Sequence, residues 1–239
     1  MGDLHLDKHI SRQFNKELED VRNRVLAMGG VVEQLIAQAV RAVVERDGAL
    51  GKQVIEDDDA VNDLEIAIDE ECSRIIARRQ PAASDLRMVM MVVKTITDLE
   101  RIGDEAEKIG WLASKLAEVE APQDGYVEIE NLGNHVRQMV RDALDAFARM
   151  DSRAALKVAS EDPKVDREYE AILRQQITYM MEDARNIRRA LDVMWAARAL
   201  ERIGDHARNI GEYVIYLVEG KDVRHISIEQ MTREVGEEK

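Results

Sequence analysis

An internal repeat constrains the fold of this chain more than any other sequence feature. The hexapeptide Leu-Glu-Arg-Ile-Gly-Asp occupies residues 99–104 and again residues 200–205, and further identities continue the match downstream at the same offset of 101. Upstream, an Asp-x-x-Val pattern begins at Asp58 and again at Asp162, at an offset of 104. Because order and near-equal spacing are preserved, we expect one structural unit to occur twice in tandem.

Each unit is predicted to be helical. Apolar residues recur at steps of three and four through most of the chain, which is the spacing of one helix face. In the first segment these residues are Phe14, Leu18, Val21, Val25, Met28, Val32, Leu35 and Ala39. Only 3 prolines occur and aromatic residues make up 4 %, a composition that disfavours a sheet-rich fold.

Breaks in this periodicity predict six helices, the fifth of which contains Pro163 and should kink there. The predicted helices span residues 9–46, 49–79, 83–118, 127–150, 152–182 and 186–219. Three helices per repeat give an all-α fold of two tandem three-helix bundles, related by an internal pseudo-twofold axis. The predicted boundaries are residues 1–121 for the first bundle, 122–220 for the second and 221–239 for a charged tail.

The charge balance limits the choice of partners. The 34 Lys and Arg residues against 48 Asp and Glu residues give a net charge of −14 at pH 7. This charge repels the phosphate backbone of nucleic acids and opposes binding to anionic lipid. No apolar run approaches the roughly 20 residues that cross a bilayer, so we expect a soluble, cytoplasmic protein.

Sequence motifs for catalysis are absent. Neither a Gly-x-Gly-x-x-Gly nor a Gly-x₄-Gly-Lys-Ser/Thr loop is present to cradle a nucleotide, and no histidine forms a readable pair with a nucleophile. Trp111 and Trp195 lie on amphipathic helices and are expected to be packing anchors. We therefore predict that the protein is not an enzyme.

The acidic residues of the repeat are the candidate binding groups. Glu100 with Asp104, and Glu201 with Asp205, are neighbours four residues apart on one helix face. A rotation of about 100° per residue places both pairs roughly opposite the apolar seam, so we expect them at the surface. Carboxylate oxygens suit Mg²⁺, Mn²⁺ or iron, whereas the alternative is a solvated acidic face that neighbouring arginines partly neutralise.

The preceding helix carries a further polar stripe that includes Asp58 and Asn62. If the two helices are adjacent, their acidic edges converge. Gly103 and Gly204, each one residue before the aspartate of the hexapeptide, leave room for a close approach. The sequence therefore leaves two alternatives for each repeat, a cation site between the two helices or a solvated acidic face.

Longer motifs surround these residues. They are Val61-Asn62-x-Leu64-Glu65, Ile68-Asp69-Glu70-Glu71-Cys72, the stretch from Ile75 to Arg87, both copies of the hexapeptide, Trp195 through Ile210, and Tyr213 to Ser227. On these motifs, which cover nearly the whole chain, the sequence resembles the PhoU family of phosphate-transport regulators.

The resemblance implies two symmetric three-helix bundles per chain, a homodimer, and surface metal clusters of the kind that some members carry. The metal ligands would be Glu100, Asp104, Glu201 and Asp205, with Asp58, Asn62, Asp162 and Asp166 opposite them. Asn62 departs from the acidic pattern of the family, and Asp59 with Asp63 is an alternative pair one residue further on. We expect Mg, Mn or Fe as the cation, and we expect none of them to be required for chemistry.

The resemblance also implies a role. The chain would be a cytoplasmic negative regulator of phosphate uptake and of the phosphate-starvation (Pho) regulon. It would link the ATPase subunit of the phosphate ABC transporter to a sensor histidine kinase, and would reach the membrane only through protein contacts. Two other functions stay open: an enzyme that uses the metal clusters, and a generic helical scaffold or co-chaperone.

Overall fold

The computed structural model describes residues 6–81, 83–118 and 126–236, with side chains from Gln13 onward. Its helices are α1 (Leu6–Glu45), α2 (Gly48–Arg79), α3 (Ala83–Ala117), α4 (Val127–Arg149), α5 (Ser152–Glu182), α6 (Ile187–Glu219) and α7 (Ile228–Gly236). A short 3₁₀ turn precedes α6, and these described ranges contain no strand. The prediction of an all-α fold with six long helices is confirmed, with each predicted end within three residues. The predicted boundary at residues 121–122 lies outside the described residues.

The two repeats pack in the same way. Helices α1, α2 and α3 contact one another, and α4, α5 and α6 do the same, while α3 packs on α6 and α1 packs on α4 to join the two units. The buried apolar residues of both units form one continuous core. Arg141 Nη2 donates to Glu33 Oε2 at 2.9 Å across the α1–α4 contact.

Helices α3 and α6 run antiparallel. His206 Nδ1 lies 2.7 Å from Asp98 Oδ1, and Arg202 Nε lies 3.2 Å from Glu105 Oε1. Residue numbers therefore increase along α3 in the direction in which they decrease along α6. This pair of helices forms the centre of the molecule and lies at the junction of the repeats.

The repeat also extends to the turns. α1 and α4 are each followed by a non-glycine residue in the left-handed region, Arg46 (φ 56°) and Met150 (φ 53°). The next residue in each case, Asp47 or Asp151, accepts two backbone N–H bonds at 3.0 Å and caps the following helix. α5 continues as one helix through Pro163, and the kink there stays a prediction.

Three expectations from the sequence need correction. The segment predicted only as a charged tail contains α7, which buries Met231 and Val235 and packs on α5. Trp111 and Trp195 are 50 % and 64 % exposed, so they are not packing anchors, because neither residue lies on the buried face of its helix.

The third correction concerns the apolar runs. Among the residues that the structure describes, one helix, over residues 13–45, is long and apolar enough to cross a membrane by length and composition alone. Half of its apolar window is buried inside the protein, and Val25, Met28 and Val32 are fully inaccessible. A core helix of a globular protein can be equally long and apolar without any membrane, because other helices cover its apolar face.

Candidate functional site

We call Asp58 of α2 together with Glu100, Asp104 and Glu107 of α3 the first acidic cluster. One carboxylate oxygen from each of Asp58, Asp104 and Glu107 lies within 4.8 Å of the other two. Of the described residues, this is the one group of three acidic, histidine or cysteine side chains that comes so close together. The predicted convergence of α2 and α3 therefore brings Asp58 to Asp104.

Gly103 permits this approach. A Cβ atom at that position would overlap Asp58 Oδ1 and would lie 3.3 Å from Val61 Cγ1. The missing side chain at Gly103 thus lets α2 and α3 approach closely, as its place beside Asp104 indicates. In the second repeat, a Cβ at Gly204 would lie 3.1 Å from Val165 Cγ1, so the helices approach closely there as well.

Asp58 carries the strongest electrostatic perturbation of the first acidic cluster. Its side chain is buried, with the residue 4 % exposed, and Oδ1 has no hydrogen-bond partner among the described residues. Oδ2 accepts one long bond of 3.4 Å from Asn62 Nδ2. Burial, and then the negative charges of Asp104, Glu107 and Glu100, raise the pKa of Asp58 from 3.8 to about 6.

Glu100 lies at the edge of the same cluster. Burial raises the pKa of its carboxyl group, and the charges of Asp104 and Glu65 raise it further. The residue is half-buried, as is Asp104. These carboxylates are therefore less exposed than expected, because α3 packs against α1, α2 and α6.

We call Asp162 and Asp166 of α5 together with Glu201 and Asp205 of α6 the second acidic cluster. Asp162 and Glu201 are buried, at 6 % and 7 % exposure. Burial, and then the charge of Asp205, raise the pKa of Glu201 to about 7, and burial followed by the charges of Asp162 and Asp166 raises the pKa of Asp205. The four predicted residues are therefore close enough for their charges to interact, although no three of them bring carboxylate oxygens within 4.8 Å of one another.

Arginines occupy the second acidic cluster. Arg208 Nη1 donates to Asp162 Oδ2 at 2.8 Å, and its Nε donates to Glu212 Oε1 at 2.9 Å. Arg198 Nη1 donates to Glu201 Oε1 at 2.5 Å. These guanidinium groups supply the positive charge that four adjacent carboxylates need.

The two clusters differ at one decisive position. Arg208 corresponds to Glu107 at the repeat offset of 101. The second acidic cluster therefore has a guanidinium group at the position where the first has its fourth carboxylate. Glu107 is therefore not part of the motif that the two repeats share. Its place seven residues after Glu100 and three after Asp104, on the same helix face, is the signal that identifies it.

The alternative pair, Asp59 and Asp63, lies elsewhere. Both residues are exposed and line a surface groove with Gln34 and Gln38 of α1. They do not join the cluster on α3. An all-oxygen donor set with a buried, unpartnered Asp58 Oδ1 fits a hard divalent cation at the first acidic cluster, whereas Arg208 already satisfies part of the second.

A PhoU domain is matched twice along the chain, at residues 25–112 and 129–214. The chain belongs to the PhoU family. The chain is 58 % identical over 230 residues to a Pseudomonas putida protein named phosphate-specific transport system accessory protein PhoU homolog, covering 96 % of this chain and 90 % of that protein. It is 51 % identical over 234 residues to phosphate-specific transport system accessory protein PhoU of Escherichia coli K12, covering 98 % and 96 %.

Solved structures of the family share the fold. The crystal structure of PhoU from Pseudomonas aeruginosa is 57 % identical and gives a TM-score of 0.84, covering 87 % of this chain and all of that one (100 %). The phosphate transport system regulatory protein PhoU from Streptococcus pneumoniae is 28 % identical, with a TM-score of 0.81 and coverage of 88 % and 99 %. The predicted family and its tandem repeat are thus confirmed.

Proposed function

We propose that this chain is an accessory regulator of phosphate transport and acts without catalysing a reaction. The observation that carries the proposal is the alignment of nearly its whole length with proteins named as accessory proteins of the phosphate-specific transport system. A rigid scaffold of long helices with one continuous core is suited to binding other proteins.

In finer terms, the regulator acts in the cytoplasm as a brake. It holds down phosphate uptake and the phosphate-starvation response by contacting the ATPase subunit of the phosphate ABC transporter and a sensor histidine kinase. It works as a homodimer and reaches the membrane through these proteins, since a net charge of −14 opposes direct contact with anionic lipid. The same charge argues against nucleic acid as a partner.

The first acidic cluster binds a divalent cation, with Asp58, Asp104 and Glu107 as ligands and Glu100 beside them. The support is physical: a buried carboxylate oxygen without a hydrogen bond is costly, and a cation relieves both the desolvation and the mutual repulsion. Mg²⁺ or Mn²⁺ suits this all-oxygen set, and iron is the further candidate. The cation supplies structural charge compensation rather than a reaction.

The second acidic cluster binds a cation more weakly. Its ligands would be Glu201, Asp205, Asp162 and Asp166, but Asp162 already accepts a bond from Arg208 and Glu201 accepts one from Arg198. A metal ion has to displace these contacts. Asn62 contributes to the first cluster as a neighbour of Asp58 and is a weaker ligand than a carboxylate.

The regulatory role is tested with a reporter for a phosphate-starvation promoter in a deletion strain grown in high phosphate. Wild type should restore repression. The four-site variant Glu100→Ala, Asp104→Ala, Glu201→Ala, Asp205→Ala tests the acidic clusters, once circular dichroism has established that it folds. Unchanged reporter activity on deletion of the gene would refute the brake.

Cation binding is tested separately by calorimetric titration of the chelator-treated chain with Mn²⁺. The variant Asp104→Asn, Glu107→Gln should lose the tighter binding event, because it removes two of the three closest carboxylates. The matched control Asp59→Asn, Asp63→Asn removes the same number of charges from the exposed face of α2 and should leave that event in place. Equal loss in both variants would indicate non-specific attraction only.

A further inference from the structure

A groove with two exposed tryptophans lies between α3 and α6, at the end where α3 finishes and α6 begins. Trp111 and Trp195 both line it, at 50 % and 64 % exposure, and its volume is about 530 Å³. Leu112 and Ala199, each 4 % exposed, also line it. Large aromatic residues that are exposed in a groove are the usual anchors of protein interfaces, because burying them on binding gains much free energy at little cost in side-chain entropy.

The apolar surface continues along α6. Ile187, Leu191 and Trp195 follow one another at steps of four, and the first two are each 44 % exposed. Residues at this spacing share one helix face, so they form an exposed apolar stripe that leads into the groove. A groove between two antiparallel helices, extended by such a stripe, has the shape that accepts a third, amphipathic helix.

The charge of the groove is opposite to that of the molecule. Its lining includes four basic residues and two acidic ones, giving +2, whereas the whole chain carries −14. These residues are Lys108, Lys115, Arg198, Arg202, Glu105 and Asp192. A groove with a net positive lining in an acidic chain is complementary to a segment that carries acidic residues, and the proposed occupant is such a segment of a different protein.

The pseudo-twofold partner of this groove has a different lining. At the repeat offset of 101, Trp111 corresponds to Glu212 and Trp195 to Lys94, so charged residues stand where the tryptophans stand. Glu212 lines a separate pocket to which Arg224, from the segment after α6, also contributes. Within the part of the chain that the structure describes, no such segment lines the tryptophan groove.

We infer that the tryptophan groove is the docking site for an acidic amphipathic helix of a partner protein. The apolar side of that helix packs on Trp111 and Trp195, and its carboxylates face Lys108 and Lys115. The inference rests on the proposed adaptor function and adds the surface through which the adaptor works. Lys115 Nζ lies 3.4 Å from the centroid of the Trp111 ring, so a carboxylate at Lys115 is placed beside the aromatic anchor.

The test measures binding of the full-length chain to two purified probes, the transporter ATPase subunit and the cytoplasmic part of the kinase. The variant Trp111→Ala, Trp195→Ala should weaken binding to one of the two probes by about tenfold or more, as expected for interface anchors. Lys115→Glu should weaken the same complex, whereas Lys115→Arg should retain it. The control Ile66→Ala, Val127→Ala removes two other exposed apolar side chains, at 57 % and 56 % exposure, and should bind like wild type.

The outcome separates this inference from the proposed function. If wild type restores repression in the reporter strain and the tryptophan variant binds both probes and represses equally well, the docking site is refuted while the brake stands. If deletion of the gene leaves the reporter unchanged, the brake itself fails. A wild-type dimer that the tryptophan variant splits, seen by light scattering, would make the groove a contact between copies and would overturn the acidic partner.

Discussion

Replacing Asp58 by asparagine should stabilise this chain at neutral pH when divalent cations are absent. The pKa of Asp58 is about 6 in the folded chain against an ordinary 3.8, so the folded state holds its proton more tightly than the unfolded state. Below about pH 3.8 both states are protonated and the residue carries no penalty. As the pH rises to 6 the folded state is progressively destabilised, and above pH 6 the penalty is complete.

The size of the effect follows from the pKa shift. A rise of about two pKa units at about 1.4 kcal/mol per unit gives a penalty of about 3 kcal/mol. Asparagine keeps the shape and removes the charge, but its amide still lies buried beside Asn62 and needs partners. We therefore expect a net gain of about 2 kcal/mol, which corresponds to a rise in Tm of about 4–8 °C for a chain of this size.

The assay is thermal unfolding, followed by circular dichroism in EDTA at pH 7.5 and again at pH 4.5. The gain of Asp58→Asn over wild type should be present at pH 7.5 and much smaller at pH 4.5. Added Mn²⁺ should then favour wild type, because only the carboxylate gains a ligand-binding contribution. Asp59→Asn, one residue further and exposed, is the matched control and should change little.

Two results would refute this reasoning about Asp58. Equal stability of wild type and Asp58→Asn at pH 7.5 in chelator would mean that the buried carboxylate carries no penalty. A gain of the same size for Asp59→Asn would mean that general charge repulsion in an acidic chain, rather than burial at the first acidic cluster, sets the stability.

Further substitutions test the packing and the difference between the repeats. Gly103→Ala should destabilise by about 1–3 kcal/mol in urea unfolding, since its Cβ overlaps a buried carboxylate of α2, whereas Gly30→Ala has open space and should be neutral or gain about 0.5–1 kcal/mol. Arg208→Gln should cost about 2 kcal/mol in chelator and tighten the weaker Mn²⁺ binding event in calorimetry; an unchanged affinity for that event would contradict the role of its guanidinium. Met231→Ala should cost at least about 2 kcal/mol, against under about 0.5 kcal/mol for exposed Glu229→Ala; equal stability would mean that α7 adds nothing to the fold.

The fold could be predicted from the sequence because several signals agree. The hexapeptide fixes the number of units, and the spacing from Val21 to Ala39 fixes a helix whose predicted face is buried. Segment 228–236 escaped prediction because only Met231 and Val235 are buried in a short, strongly charged stretch. A pattern of so few apolar residues does not separate a short helix from a solvated tail.

The site could be predicted in its residues but not in its environment. Asp58, Asp104, Glu201 and Asp205 were found from spacing, and α2 and α3 bring the first two together. The burial of Asp58 and Glu201 does not follow from a single apolar seam per helix, because a helix in this fold has neighbours on several sides. The spacing of apolar residues along one helix also does not show whether another helix covers a given face, so the exposure of Trp111 and Trp195 does not follow from it.

The α3–α6 contact has a further consequence for a chain made of two similar halves. Each half alone would expose the apolar face that its counterpart now covers, so separately produced halves should associate in a concentration-dependent manner. Joining them in one polypeptide makes that association intramolecular, and the tether supplies an effective concentration in the millimolar range or above. The two halves of one polypeptide therefore stay paired at any protein concentration. They also need not be identical, as Glu107 in one half and Arg208 at the equivalent position of the other illustrate.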